Sequence, residues 1–262
     1  MVDVLVLFGS KSDKKFAEEI LDYFKSKNVS FELAFLSAHR TPKELEQKIH
    51  SSDAKVIIAG AGLSCALPGA VAAQTIKPVM GLPLSGNYSG LDALLACIQI
   101  PGGIPVLGSG IDQTKVCAQY AELFSKNKFE KIVLIKRGKN LAKYLEKAQL
   151  VLKEFSVPFA VLEKPAYSEK NVVYLDFVDL MKTKQVDSKG FSVIFVACKE
   201  NSIASDVLEF YSLTSKSNGL FVGLNRAENA VLAALELLAI SNFVWVEKLN
   251  KFREQKRKDL LQ

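Results

Sequence analysis

The sequence predicts an α/β protein, a three-layer α/β/α sandwich around a mainly parallel sheet, repeated in tandem. Short apolar strands alternate with amphipathic helices from the start of the chain. Repeated β–α units favour parallel strands covered by helices on both faces, joined by right-handed crossovers. The alternation begins again near residue 131, which indicates two copies of one domain.

The first copy is predicted to contain five strands, each followed by a helix. Phe16, Ile20 and Phe24 recur at helical spacing in the first helix, and Pro42 suits the first turn of the second. The predicted elements in chain order are strand Val2–Phe8, helix Lys14–Lys27, strand Phe31–Leu36, helix Thr41–Ile49, strand Val56–Ala59, helix Pro68–Gln74, strand Val79–Leu82, helix Asp92–Ile98, strand Pro105–Leu107 and helix Thr114–Phe124. Such a sheet is flavodoxin- or Rossmann-like.

The second copy is predicted from local echoes of the first. Its first elements are strand Lys131–Ile135, helix Leu141–Phe155 and strand Pro158–Leu162. Val193–Ala197 is expected to correspond to Val56–Gly60, and Gly223–Arg226 with helix Ala227–Leu238 to Gly110–Gln113 with the helix that follows. We place the boundary in the polar stretch Ser125–Glu130, which gives domains 1–128 and 129–262.

Composition excludes several classes of function. The chain has 262 residues, 49% hydrophobic and 24% charged, and no apolar run long enough to span a membrane. The first strand is too short for a signal peptide, so a cytoplasmic protein is expected. The net charge of +6 is dispersed, and the basic tail Lys248–Lys258 alternates with acidic residues, so nucleic-acid binding is not expected. The four cysteines lack C-x-x-C spacing and are interpreted as reduced core thiols, with no metal site.

Two segments at predicted strand ends carry the candidate chemistry. Gly9-Ser-Lys-Ser-Asp13 turns into a helix, where backbone N–H groups and hydroxyls favour a phosphate, although an ordinary helix cap would look the same. His39, one of two histidines, follows the second strand beside Arg40. Histidine shuttles protons near neutral pH and arginine grips phosphate. His50 ends a polar helix and is interpreted as solvated.

Glycine-rich loops follow the next strands, and the carboxyl ends of parallel strands are where ligands bind. These loops are Ala59–Gly69, Gly81–Asp92 and the pair Gly102-Gly103. Each can be glycine-rich merely to turn, but several converging on one sheet edge favour a binding site. The second copy has Gly138–Ala142 and Pro165–Ser168 at the corresponding places and has lost this chemistry, which suggests a packing partner.

Six ordered motifs in residues 2–125 resemble those of the aminoimidazole ribonucleotide carboxylase family, which includes the bacterial 5-(carboxyamino)imidazole ribonucleotide mutases. The motifs are Gly9-Ser-x-Ser-Asp13, Ser37-Ala-His-Arg-Thr-Pro42, Ala59-Gly-Ala-Gly62, Leu67-Pro-Gly69, Gly90-Leu-Asp-Ala-Leu94 and Gln99-Ile-Pro-Gly-Gly-Ile-Pro-Val106. The resemblance implies carboxylation of aminoimidazole ribonucleotide in purine synthesis, with no cofactor. It also implies a homo-oligomer, here a tetramer of two-domain chains mimicking an octamer.

The resemblance assigns roles residue by residue. His39 is implied to be catalytic and to move the proton exchanged for the carboxylate. Loops Gly60–Ala66 and Ser85–Gly90 are implied to exclude water, and Ser10, Ser12, Asp13 and Arg40 to hold the ribose phosphate. The full set implied to contact substrate is Gly9, Ser10, Ser12, Asp13, Ser37, Ala38, Arg40, Gly60, Ala61, Gly62, Ser64, Ala66 and Leu67.

One departure from the family pattern leaves the carbon source open. Mutases usually carry a histidine just before Leu-Pro-Gly, where this chain has Ala66. Direct carboxylases, which take free carbon dioxide, also lack that histidine and have a serine near Ser64. The segments at Gly90 and Gln99 look more like those of mutases. A mutase is the main hypothesis, a direct carboxylase the alternative, and a non-catalytic nucleotide-binding protein the alternative of another class.

Overall fold

All ten strands of the described chain belong to one sheet. The computed structural model describes residues 2–262. The strands are β1 (Val4–Phe8), β2 (Phe31–Phe35), β3 (Val56–Ala61), β4 (Val79–Pro83), β5 (Leu107–Gly108), β6 (Lys131–Lys136), β7 (Phe159–Leu162), β8 (Val172–Asp179), β9 (Val193–Cys198) and β10 (Leu220–Val222). Their order in the sheet is β2-β1-β3-β4-β5-β10-β9-β8-β6-β7.

The helices connect these strands and close the chain. They are α1 (Lys14–Ser26), α2 (Pro42–Ser51), α3 (Ala66–Ala72), α4 (Leu91–Ile98), α5 (Thr114–Lys126), α6 (Ala142–Glu154), α7 (Asp206–Lys216), α8 (Ala227–Ala239) and α9 (Phe243–Leu261). Sequence patterns explain where several begin. Pro42 occupies the first turn of α2, and the side chain of Asn242 accepts a hydrogen bond from the N–H of Val244 to cap α9.

The two halves of the sheet have the same internal order. The first runs β2-β1-β3-β4-β5, the flavodoxin-like order, and the second runs β7-β6-β8-β9-β10. Strands within each half are parallel, whereas β5 and β10 meet antiparallel at the pair Gly108 and Phe221. Asp112 and Asn225, just after β5 and β10, both have positive φ. The sheet is therefore continuous, with halves related by an approximate two-fold axis between β5 and β10.

Helices on both faces give three layers. Alternate residues of β1 show this directly, because Val4 and Val6 enter one buried cluster and Leu5 and Leu7 the other. The first cluster also contains residues of α1, α5, α6, α8 and α9, and the second those of α2, α3, α4 and α7. The predicted α/β/α sandwich around a mostly parallel sheet is confirmed.

The structure corrects one predicted correspondence between the halves. Val193–Ala197 was matched to Val56–Gly60, but its strand β9 takes the position of β4. The position of β3 is held by β8, which the sequence pattern missed. The reason is that residues 163–171 and 180–192, on either side of β8, are turns and loops. A strand without flanking helices breaks the alternation on which the prediction rested.

The structure also bears on the ends of the predicted elements, on the cysteines and on the possibility of a membrane span. The ends of the remaining predicted elements shift by a few residues, and the fifth strand shortens to Leu107–Gly108. The four cysteines are free and buried, as predicted. Within residues 2–262, none of the helices combines the length and apolar character needed to cross a bilayer.

Candidate active site

A cavity of about 480 Å³ opens at the carboxyl edge of the first half of the sheet. Because β1 to β4 are parallel, the loops that follow them all meet at this edge. The lining residues are Gly9, Ser10, Ser12, Asp13, Ser37, Ala38, His39, Arg40, Ala61, Gly62, Leu63, Ala66, Leu67, Ser85 and Gly86. The predicted catalytic histidine and the predicted anion-binding turn thus share one cavity.

The turn after β1 is organised by its own hydroxyl groups. Ser10 has extended backbone and caps a short 3-10 turn, its Oγ accepting from the N–H of Ser12 at 3.3 Å. The Oγ of Ser12 lies 2.8 Å from the Oγ of Ser10 and 3.1 Å from Oδ1 of Asp13. These contacts hold three polar side chains together at the start of α1, where the helix dipole favours an anion.

The turn after β2 carries His39 and Arg40, which line the cavity together with the turn after β1. Thr41 fixes this turn, because its Oγ1 accepts the N–H of Ser37 at 2.8 Å and lies 3.2 Å from the carbonyl oxygen of Ser37. Arg40 donates through Nη2 to the carbonyl of Gly9 at 3.2 Å, which joins the two turns. His39 is exposed to the cavity, and its ring makes no hydrogen bond to any residue between 2 and 262. Both ring nitrogens can therefore meet a ligand.

The loop after β3 forms the third wall, but not all of its predicted residues reach the cavity. Ala61, Gly62, Ala66 and Leu67 line it, together with Leu63. Gly60 instead lies within β3, where an added Cβ would come within 2.4 Å of the Phe8 ring. Its role is close packing. Ser64 is exposed and has φ of 59°, with its N–H 3.4 Å from a carboxylate oxygen of Asp92.

Ser85 and Gly86, in the loop after β4, complete the lining. The sequence placed them in an enclosing loop but not among the residues that contact substrate. The only signal in the sequence was the glycines of this segment, where apolar residues give way to polar ones. Glycines do not indicate which residues of a loop face the cavity. The pair Gly102-Gly103 lies elsewhere, against α8 and α9, where an added Cβ would meet Glu228 and Phe252 respectively.

The electrostatics of the cavity combine one fixed cation with one perturbed acid. Partial burial raises the pKa of the Asp13 carboxyl above its usual value, although hydrogen bonds from Ser12 and Ser10 oppose the shift. The Arg40 guanidinium is a planar cation whose N–H groups match the geometry of a phosphate. Arg40 and the N-terminus of α1 can receive a phosphate, Asp13 can accept from sugar hydroxyls, and His39 can transfer a proton.

A flavodoxin-like sheet with a hydroxyl-lined helix start, an arginine and a histidine at its carboxyl edge defines an α/β protein whose cavity suits a phosphate-bearing ligand. Comparison with known sequences narrows this class. Residues 3–133 match the AIR carboxylase family, which is half of the chain. The chain belongs to the AIR carboxylase family, as its motifs predicted.

Two relatives indicate how far the similarity extends. The N5-carboxyaminoimidazole ribonucleotide mutase of Methanocaldococcus jannaschii is 42% identical over 144 residues, which cover 55% of this chain and 88% of the relative. The mutase of Saccharolobus solfataricus is 40% identical over 125 residues, 46% of this chain and 79% of the relative. Among solved structures, Treponema denticola PurE is 23% identical with a TM-score of 0.43, covering 60% of this chain and 98% of its own.

Proposed function

We propose that this protein forms 4-carboxy-5-aminoimidazole ribonucleotide in the cytoplasm, as the N5-carboxyaminoimidazole ribonucleotide mutase of purine synthesis. One observation carries the proposal: a single cavity gathers the Ser10–Asp13 turn with His39 and Arg40, which come from two separate motifs of the family. The relatives that cover this half of the chain bear that name.

The proposal includes an orientation for the substrate, which the groups around the cavity support. Its phosphate lies at the turn Ser10–Ser12 beside Arg40, and its ribose hydroxyls lie toward Asp13. The imidazole ring then extends toward His39 and the loop 61–67. Phosphate binding supplies the affinity, because the reacting ring offers few groups to hold.

The chemistry is an isomerisation that needs no second reactant. The bond from the exocyclic nitrogen to the carboxylate breaks and releases carbon dioxide, and the nitrogen regains a proton. The ring carbon then attacks the carbon dioxide and gives up its own proton. His39 moves that proton, and enclosure of the carbon dioxide makes its capture effectively unimolecular.

A second candidate function has a specific observation in its favour. Ala66, where mutases carry a histidine, lies on the cavity wall, so His39 is the only histidine that lines the cavity. A site without a second histidine fits a direct carboxylase, which takes free carbon dioxide onto aminoimidazole ribonucleotide.

Initial rates with both substrates test these functions in parallel. One reaction contains the carbamate-bearing ribonucleotide, and the other contains aminoimidazole ribonucleotide with varied bicarbonate and carbon dioxide. We expect fast turnover of the first. Saturable use of carbon dioxide with slow use of the carbamate would replace the mutase by the carboxylase. Tight ligand binding without turnover in either reaction would make the protein a non-catalytic binder.

We further propose that residues 129–262 are a duplicated domain without a site, which occupies the place of a second subunit. Equal strand order in the two halves supports this, as does the end of the family match at residue 133. Four chains would then assemble as a homotetramer that mimics eight domains. Light scattering should give about four times the chain mass of 28.8 kDa, and a monomer or an octamer of whole chains would contradict the proposal.

A further inference from the structure

The loop Ser85–Gly90, which forms part of the cavity wall, has an irregular backbone. Ser85 and Gly86 line the cavity, and the residues from Ser85 to Ser89 are exposed. Tyr88 and Ser89 both have φ of 53°, and Gly90 follows at 78°. Consecutive non-glycine residues in the left-handed region are costly, so this conformation persists only where its surroundings fix it.

One fixing contact comes from the second half of the chain. Tyr211, on α7, donates its hydroxyl proton to the carbonyl oxygen of Ser89 at 3.3 Å. The ring of Tyr211 is half-buried and packs against the core cluster that includes α4 and α7. Packing of the ring therefore fixes the position of the Tyr211 hydroxyl. The hydrogen bond from this hydroxyl then restrains the loop.

The other end of the loop is tied to α7 through two intermediate residues. The N–H of Ser85 donates to Oδ1 of Asp112 at 2.8 Å. The neighbouring Gln113 donates through Nε2 to the carbonyls of Thr214, Ser215 and Ser217, at the C-terminal end of α7, at 3.1 to 3.3 Å. The Oε1 of Gln113 accepts the N–H of Gly110 at 3.0 Å, which anchors the segment bearing Asp112.

We propose that Tyr211 is a positioning residue for the active site, contributed by the half of the chain that lacks a site. Its hydrogen bond to Ser89 holds the loop Ser85–Gly90 in the shape that places Ser85 and Gly86 on the cavity wall. The kinetic part of this inference rests on the proposed function. In that reaction a displaced loop lets carbon dioxide escape, so aminoimidazole ribonucleotide leaves instead of the carboxylated product.

Tyr211→Phe removes the hydroxyl and keeps the ring. Tyr120→Phe is the matched control, because the Tyr120 hydroxyl also donates to a backbone carbonyl of the other half, that of Val193 at 3.1 Å. That bond lies at the amino end of β9, away from the cavity, and Tyr120 is more deeply buried than Tyr211. A general loss of stability would affect the control at least as much.

Two readouts separate this inference from the proposed function. Hydrogen–deuterium exchange of residues 85–91 needs no substrate, and we expect about 2- to 10-fold faster exchange in Tyr211→Phe but not in the control. With the carbamate-bearing ribonucleotide, we expect a similar rise in KM and in the ratio of released aminoimidazole ribonucleotide to product, while kcat falls less.

Wild-type exchange in the Tyr211→Phe loop overturns the proposal, and so does an equal change in both variants. Faster exchange with an unchanged KM and release ratio also overturns it, because Tyr211 would then stabilise the fold alone. If the wild-type protein turns over neither substrate, the proposed function fails, and the exchange measurement still decides whether Tyr211 holds the loop.

Discussion

His39 is the group in the cavity best suited to proton transfer. It follows β2 at the carboxyl edge of the sheet, exposed to the cavity and without a hydrogen-bond partner in residues 2–262. Arg40 beside it is held to the carbonyl of Gly9, so the turn that carries the histidine is fixed against the anion-binding turn. The imidazole is therefore held close to where the ring of a phosphate-anchored substrate would lie.

His39→Asn should lower kcat by at least about 100-fold while the product's dissociation constant changes only a few-fold, because general acid–base catalysis contributes on this scale. Steady-state kinetics and calorimetric titration measure the two quantities. His50→Asn is the matched control, since His50 is exposed near the end of α2 and does not line the cavity. Near-normal turnover by His39→Asn would remove the proton-transfer role.

Most of the residues that line the cavity could be predicted from the sequence. Gly9, Ser10 and His39 could be placed because they lie in the turns that follow β1 and β2, and parallel pairing brings these turns to one edge of the sheet. Gly60 and Ser64 were predicted to contact substrate together with their neighbours, because a motif does not reveal which way each residue of a glycine-rich loop faces. Leu63 and Gly86 were missed as individual contacts for the same reason.

Close packing between strands and helices limits which residues the elements accept. Gly81, in β4, is buried, and a Cβ there would lie 2.1 Å from Sγ of Cys97 and 3.0 Å from Cγ1 of Val106. Gly62, at the end of the neighbouring strand, would meet nothing within 4 Å. The two glycines therefore differ in packing, although both stand in glycine-rich sequence.

Gly81→Ala should lower the free energy of unfolding by about 3 kcal/mol, because overpacking forces α4 away from the sheet. Gly62→Ala should change it by less than about 0.5 kcal/mol, as expected where no contact is made. Urea denaturation of both variants measures the difference. Equal unfolding midpoints would contradict the packing described for β4 and α4.

A buried ion pair joins α8 to α9, and its arginine also bonds the first half of the chain. Glu236 is 2% exposed and accepts from Nη2 of Arg253 at 2.8 Å, while Nη1 donates to the carbonyl of Ala72 at the end of α3. Burial raises the pKa of the Glu236 carboxyl well above its usual value, and Arg253 opposes that shift. Whenever Glu236 is ionised, its buried negative charge is therefore compensated by Arg253.

Arg253→Met should cost about 3 kcal/mol of stability at pH 8 and less at pH 5. Because the folded-state pKa of Glu236 is raised, the folded protein takes up a proton before the unfolded chain does as pH falls. Stability from this group is therefore greatest at low pH and is lost as pH rises through the folded-state pKa. Protonated Glu236 needs no cation, so the loss of Arg253 matters less in acid.

Urea denaturation at both pH values measures this effect. Adding Glu236→Gln to the Arg253 variant should abolish the difference between the two pH values. Arg257→Met, on the exposed face of α9, should cost less than about 1 kcal/mol at either pH, because its pair with Glu254 is solvated. A cost for Arg253→Met that does not depend on pH would show that Glu236 does not change its protonation state between pH 5 and pH 8.

For the whole molecule, the alternation of strands and helices could be predicted from the sequence, but the way the two halves of the sheet join could not. Strand β5 has two residues and β10 three, too short for their pattern to show a neighbour. Their antiparallel contact depends on Gly108 and Phe221, which are 113 positions apart in the numbered sequence. Such long-range pairing leaves no periodic trace, whereas the local alternation of strand and helix does.

The shared sheet predicts that the two halves unfold together, and a variant of Asn229 can test this prediction. Asn229 lies on α8, 2% exposed, and bonds three backbone groups of the first half: the N–H of Gly103 at 3.0 Å and the carbonyls of Ile100 and Pro101 at 3.3 and 3.1 Å. The larger core cluster likewise runs from Val4 to Leu249. A defect at this contact should therefore be felt throughout the chain.

Asn229→Ala should destabilise the protein by about 2–4 kcal/mol, because the backbone groups lose their partner away from water. Far-UV circular dichroism reports the whole chain, and the fluorescence of Trp245, the one tryptophan in the sequence, reports α9. Both probes should give one urea midpoint, shifted equally by the variant. Asn171→Ala, which removes only a solvent-exposed hydrogen bond to Glu130, should leave it in place. Separate midpoints would mean that the halves unfold independently despite their shared sheet, and Asn229 would then only dock one on the other.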